Sequence, residues 1–383
     1  MFDLNAYLRD LETVVNIDSN SSDPIGLNKC VDVFERLAKE QGLFVKRHHI
    51  GDYTGDYLEI SNRENADHYD VIMMGHIDTV QPIDYTKEYP FHIEGELAHG
   101  PGISDMKCGT LAMLYIIKEL DKEVLDNLCI GILMNCDEEI SSRYSEPITR
   151  SIAKKTDIAF IMEGGKNDGG HTIKRKGTAT YKIKFNGLAC HAGQILVQPN
   201  ANALVEMGRW AVEIYKLNNK DTGFSANCGI CSSGHAGNVV PDHAELTINI
   251  RVVNKEQFDE FESNLQRLAK TPFVEGVTVE IERLAKKTPM LPAKGMDEYL
   301  ERVKKVFKEK LGLDFYTKPM VGGCSDGNII ADEGVIVLDH LGPHGSGGHK
   351  RVEFLYKDEV YYCINRMTAL IEEISDHKKN TLN

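Results

Sequence analysis

Four short runs of the chain are apolar without polar interruption: residues 71–75, 129–134, 158–162 and 335–338. Each is too short for a helix and rich in Val, Ile, Leu and Met, the pattern of parallel strands buried on both faces. Helical periodicity lies around them. Residues 26–41 end at Gly42, placed as a C′ glycine. Residues 106–120 carry Leu111, Leu114, Ile117 and Leu120 at helical spacing, and residues 358–374 form a further helix near the end. Strands alternating with helices predict an α/β domain, a mostly parallel central sheet flanked by helices on both faces.

The middle of the chain has a different texture. Residues 178–185, 244–251 and 277–281 alternate polar and apolar positions, as half-exposed antiparallel strands do. Helical patterns at 202–217 and 255–270 sit among them. A small α+β domain over residues 172–284, inserted between residues 1–171 and 285–383 of the larger domain, accounts for both textures. No internal repeat or low-complexity segment is visible.

Length agrees, since 383 residues exceed one ordinary core. The formal net charge of −14 argues against nucleic acid or an anionic membrane as partner. Residues 1–20 intersperse Asp3, Arg9, Asp10 and Glu12 with Leu4, Leu8, Leu11 and Val15, which reads as an amphipathic helix and not a signal peptide. No run approaches the length of a membrane span. Nine cysteines scattered through apolar stretches suggest reduced, mostly buried thiols and a cytoplasmic location. Cys228-Gly229-Ile230-Cys231 lacks the second pair that a zinc ribbon needs, so ordinary buried thiols are expected there.

Chemistry concentrates just after the buried strands. His76-Ile77-Asp78 follows the first, Asn135-Cys136-Asp137-Glu138-Glu139 the second and Glu163-Gly164-Gly165 the third. The fourth is followed by Asp339, His340 and a glycine-rich loop reaching His349, while Asp105 lies just before a helix. Ligands of open α/β sheets bind beyond the carboxyl ends of the strands, so these groups share one edge. A lone His-x-Asp is ordinarily structural, and adjacent glutamates are common on exposed helices. Their joint placement is not ordinary. Carboxylates crowded in this way need cations to remain ionised together. A mixed imidazole and carboxylate set suits zinc, and the surplus of carboxylates suits two metals with a shared ligand.

The segments Met74-Gly75-His76-Ile77-Asp78-Thr79-Val80, Gly100-Pro101-Gly102-Ile103-Ser104-Asp105-Met106-Lys107, Asp137-Glu138-Glu139, Met162-Glu163-Gly164 and Gly348-His349 occur in this order. They resemble the acetylornithine deacetylase, succinyl-diaminopimelate desuccinylase and glutamate carboxypeptidase family of dizinc metallopeptidases, and most closely its glutamate carboxypeptidase-like members. The resemblance implies a zinc-peptidase catalytic domain with an inserted lid and dimerisation domain. It implies that Asp105 bridges two divalent metals, zinc foremost with cobalt or manganese accepted. His76 and Glu163 then complete one site, and Glu139 and His349 the other. His340 and His344 compete with His349, which is favoured because Glu353 follows it by four residues as in the family. Asp78 would orient His76. Glu138 would be the general base toward a metal-bridged water. A cis peptide from Asp105 to Met106 is also implied.

In the inserted domain, the stretch from Phe185 to Gly193 with Asn202 to Met207 is similar to the family's lid motif, in which His191 donates to the oxyanion. Asn238 and Arg251 resemble groups that grip a substrate carboxylate, although Arg251 on spacing alone reads equally well as a surface charge. Gly322 and Gly323 belong to a loop similar to one lining the substrate cleft. Dimeric relatives place the lid histidine in the partner's site, which leaves His191 open between acting in its own chain and in a second copy. Pro101, where relatives often carry Arg, and Cys108, where they carry Gly, are departures near the cleft. The expected function is metal-dependent hydrolysis of an amide or peptide bond beside a free carboxylate, on a small peptide or an N-acyl amino acid, by a homodimer. The alternatives are a di- or tripeptidase recognising a free amine and a catalytically silent binding homologue.

Overall fold

The structure, a computed structural model, describes residues 2–165 and 169–382. The chain forms two compact units, one of Met1–Lys174, Leu291–Pro319 and Ser325–Asn383, the other of Arg175–Met290 and Met320–Cys324. The larger unit begins with strands β1 (Phe44–His48), β2 (Tyr57–Ser61), β3 (Tyr69–His76), β4 (His92–Glu94), β5 (Leu97–His99), β6 (Ile130–Asn135) and β7 (Thr156–Ile161). The inserted unit supplies β8 (Gly177–Asn186), β9 (Ser225–Ser233), β10 (His243–Val252) and β11 (Thr278–Lys287). The larger unit resumes with β12 (Ile336–Leu338), β13 (Gly345–Ser346) and β14 (Phe354–Tyr356).

The four apolar runs become β3, β6, β7 and β12, and their mutual pairings are parallel. They form the sheet β1-β2-β6-β3-β7-β12, with β2 antiparallel to both of its neighbours. Every residue of β3 and of β6 is buried, which explains why neither run alternates. Register aligns Gly75 with Met134 and Met74 with Ile161, so the carboxyl ends of β3, β6 and β7 come level.

Local chemistry sets the helices beside this sheet. Asp3 accepts the Ala6 N–H at the start of Leu4–Val15, and Asp23 caps Pro24–Glu40, with proline in its first turn. Gly42 closes the latter at φ 76°, a left-handed turn that glycine takes without strain. Cys108–Glu119 lies deep in the core, close enough that a Cβ on Gly109 would stand 2.0 Å from the Met162 carbonyl oxygen. Fully buried Phe34 and Phe160 each contribute roughly 1.5–3 kcal/mol to this core.

A smaller sheet, β13-β14-β5-β4, could not be expected from such short strands. It pairs His99 with Phe354 and Ala98 with Leu355. The inserted unit is the antiparallel sheet β11-β8-β10-β9 with the helices Ala203–Tyr215 and Glu256–Lys270. β10 buries every second residue, and Trp210 is buried with its indole N–H donating to Glu206 at 2.8 Å.

Three expectations need correction. The helix placed over 106–120 begins only at Cys108, because Asp105 and Met106 leave helical geometry. The last helix runs over Lys357–Leu382, well past 374. Cys228 and Cys231 are not buried thiols: they lie on β9, an edge strand, where Cys228 is half-buried and Cys231 exposed. An edge strand with little apolar content carries no burial period, which is also why β9 was not anticipated.

Candidate metal centre

β3 ends at His76, and the chain then turns through Asp78. The His76 Nδ1–H donates to the Asp78 backbone carbonyl at 2.9 Å, while the Asp78 carboxylate stands at 3.4 Å. The contact expected to orient His76 therefore runs mainly through the backbone. The Asp78 carboxylate has other partners. It accepts the Ser21 hydroxyl at 2.7 Å and the backbone N–H groups of Glu138 and Glu139 at 3.1 Å each. One buried carboxylate thus fixes the turn after β6 relative to the turn after β3. Thr110 adds a hydroxyl bond to the His76 carbonyl at 2.8 Å.

Asp105 sits in the turn Ile103–Lys107, and its peptide to Met106 is cis. One carboxylate oxygen lies 3.3 Å from His76 Nε2 and the other 3.3 Å from His349 Nε2. His349 Nε2 is also 3.1 Å from Glu139, and Glu163 Oε1 is 3.9 Å from His76 Nε2. Among the described residues, His76, Asp105 and Glu139 are the group whose ligand atoms all lie within 4.8 Å of one another. His349 adopts φ 63°, a left-handed conformation rare for a residue with a Cβ and found where surrounding structure enforces it. Of its competitors, His340 bonds Thr172 at 2.8 Å and His344 stacks on Tyr356 at 4.9 Å.

The electrostatics of this cluster are those of an over-crowded acid. Burial pushes Glu139 up to about 7, and the Asp105 charge adds to the effect despite the nearby imidazoles. Burial and Asp105 also hold Glu163 well above the carboxylate range. Burial disfavours charge on Asp105 too, but hydrogen bonds from His349 and His76 reverse this and hold it far down. The bond to Asp105 lifts His349 to about 9. Imidazole nitrogens and carboxylate oxygens are the donors that zinc and its first-row neighbours accept, and a cation relieves the repulsion that burial intensifies. The residues present fit such a metal.

In the inserted unit, His191 and Asn238 are neighbours. The Ala192 N–H donates to the Asn238 carbonyl at 2.9 Å, and His191 forms a bridge with Val239. The His191 ring Nδ1 accepts the Gly193 N–H at 3.1 Å. Arg251, on β10, reaches Cys324 Sγ at 3.7 Å, next to Gly322 and Gly323. Arg175, which the sequence did not single out, is buried and donates to the Gly323 carbonyl at 3.2 Å. Nothing in its local sequence marks it. Ser21 was likewise invisible, because its partner Asp78 is held to it only by tertiary packing.

Comparisons with known proteins bear on the family and the fold of the chain. Carboxypeptidase G2 of Pseudomonas sp. (strain RS-16) is 27% identical over 347 residues, covering 90% of this chain and 83% of that protein. The aminopeptidase PepT structure from Bacillus cereus superposes with a TM-score of 0.76 at 20% identity, over 97% of this chain and 99% of that one. The metallo-carboxypeptidase Sso-CP2 from Sulfolobus solfataricus gives 0.73 at 17% identity, over 97% and 99%. Residues 72–373, which span every strand-end motif from His76 to His349, match the peptidase family M20/M25/M40, and the chain belongs to that family.

Proposed function

We propose that this protein hydrolyses an amide or peptide bond beside a free carboxylate, as a carboxypeptidase or a deacylase of N-acyl amino acids. The observation that carries this is Asp105 lying between His76 and His349, with Glu139 and Glu163 beside them. Asp105 would be shared by two divalent ions, with His76 and Glu163 on one and Glu139 and His349 on the other. Zinc is favoured by the donor set, and cobalt or manganese fit the same donors. Such ions polarise a carbonyl and make water acidic enough to attack near neutral pH.

The chain's own residues do the rest. Glu138 takes the proton of the attacking water and returns it to the leaving amine. Its backbone is held by Asp78, so the side chain starts from a fixed point. His191 donates to the oxyanion, and Arg251 pairs with the substrate carboxylate beside the Gly322–Gly323 loop, with Asn238 completing that grip. The inserted unit, expected over residues 172–284, acts as lid and as the contact of a homodimer, for which the edge strand β9 offers unpaired backbone. A cytoplasmic location is supported by nine free thiols. The net charge of −14 speaks against nucleic acid as partner. Among the described residues no helix is long and apolar enough to cross a membrane.

The similarity to carboxypeptidase G2 favours a carboxylate-directed enzyme over one reading a free amine. A screen of N-acetyl, N-succinyl and dipeptide substrates, each as free acid and as C-terminal amide, with added zinc, cobalt or manganese, tests this. Turnover confined to free acids is expected. Equal cleavage of the amides, or a strict need for a free amine, would replace the proposal with a peptidase that reads the other end. No turnover of any substrate by metal-loaded protein favours a silent binding homologue.

A further inference from the structure

The carboxylate of Glu353 is buried among backbone donors. One oxygen accepts the N–H groups of Ser104 and Asp105 at 2.7 Å each, and the other accepts that of Gly102 at 2.9 Å. Glu353 is 2% exposed. It immediately precedes β14, whose partner β5 leads into the turn that carries Asp105. It also follows His349 by four residues. The side chain therefore sits where the two loops bearing Asp105 and His349 leave the same small sheet.

We infer that Glu353 is a positioning residue that locks these two loops together and so presets the spacing of Asp105 and His349 for metal. The inference rests on the metal assignment made above. A carboxylate suits this place because it accepts from three donors and presents none of its own. A glutamine has only one accepting oxygen and brings an NH₂ group against N–H groups. The loops are also in contact beyond this clamp: a Cβ at Gly348 would stand 3.0 Å from the Asp105 carboxylate. The far end of the Asp105 turn is held separately, by Lys107, whose buried ammonium donates to the carbonyls of Val14 at 3.0 Å and Ile17 at 2.8 Å. Loss of Glu353 would therefore free the start of the turn, including the Asp105 amide, while its end stays anchored.

The test compares full-length wild type with Glu353→Gln and Glu353→Asp, using cobalt or zinc in competition with a chromophoric chelator, and the visible spectrum of the cobalt form. Both variants should hold metal about 10–100-fold more weakly, the range typical of residues that orient ligands. The cobalt spectrum should change, and kcat should recover toward wild type at saturating metal with KM unmoved. A folded variant with wild-type affinity and spectrum overturns the inference. A wild-type chain that binds no cobalt removes the metal assignment and this inference with it. If neither variant folds, amide hydrogen exchange on wild type decides: protected Ser104 and Asp105 amides support the clamp, and fast exchange at both overturns it.

Discussion

Asp105 and His349 approach to 3.3 Å, although the whole inserted unit separates them in sequence. Neither charge is independent of the other. The bond to His349, with that to His76, keeps Asp105 ionised, and the bond to Asp105 keeps His349 protonated to about 9 when only protein groups surround them. A divalent cation takes the place of that proton, because a ligating imidazole must be neutral. Metal uptake should accordingly release protons at neutral pH.

The adjacent glutamates after β6 should separate cleanly in function. Glu139 is grouped with His76 and Asp105, so Glu139→Gln should lower bound metal and activity together. Glu138→Gln should reduce kcat by about 10²–10⁴-fold, the contribution of a general base, with metal content unchanged. Elemental analysis beside a rate assay checks both. Metal lost from the Glu138 variant would mean that the two roles are exchanged.

Arg251→Ala should act on substrate capture. Losing a charge-assisted bond to a carboxylate corresponds to about 1.5–3 kcal/mol, or roughly a 10- to 150-fold rise in KM with kcat less affected. The variant should discriminate poorly between a free acid and its amide. If it retains the wild-type preference for the acid, another group reads the carboxylate.

His171 gives a prediction about stability. It is buried, stacked on Phe315 at 4.9 Å, and burial with the charge of Arg366 pushes it down to about 4 from its ordinary 6.5. The unfolded chain therefore binds a proton that the folded chain refuses between these values. The neutral ring's contribution is fully present above pH 6.5 and is lost as pH falls toward 4, by on the order of 3 kcal/mol. His171→Phe, which keeps a stacked ring, should flatten the dependence of unfolding free energy on pH in that window. Parallel slopes for variant and wild type would assign the acid sensitivity elsewhere.

Mixing Glu138→Gln with His191→Ala separates action in one chain from action across a dimer. If His191 serves the neighbouring copy, each heterodimer has one site with both defects and one with neither. Activity should then appear as subunits exchange and approach one working site per heterodimer. Heterodimers verified by mass and still inactive would place His191 in its own chain's site.

The amino-acid sequence alone determined the parallel sheet and the edge at which imidazoles and carboxylates gather. Buried strands such as 71–75 and 129–134 declare themselves through unbroken apolar composition, and the residues that follow them are forced to the strand ends by chain continuity. His76, Glu139 and Glu163 were legible for that reason, whereas Asp105, which follows none of those strands, was marked only by its motif ahead of a helix. Tertiary structure alone decided the rest. His340, His344 and His349 share one glycine-rich stretch, and local composition does not rank them; the path of the loop brings His349 to Asp105 and turns His340 toward Thr172. The short β4, β5, β13 and β14 exist only because each supplies hydrogen bonds to its neighbours in the sheet. The same holds for the amides gathered by Asp78 and Glu353: backbone N–H groups carry no side-chain signature, and a carboxylate finds them only once distant segments have packed.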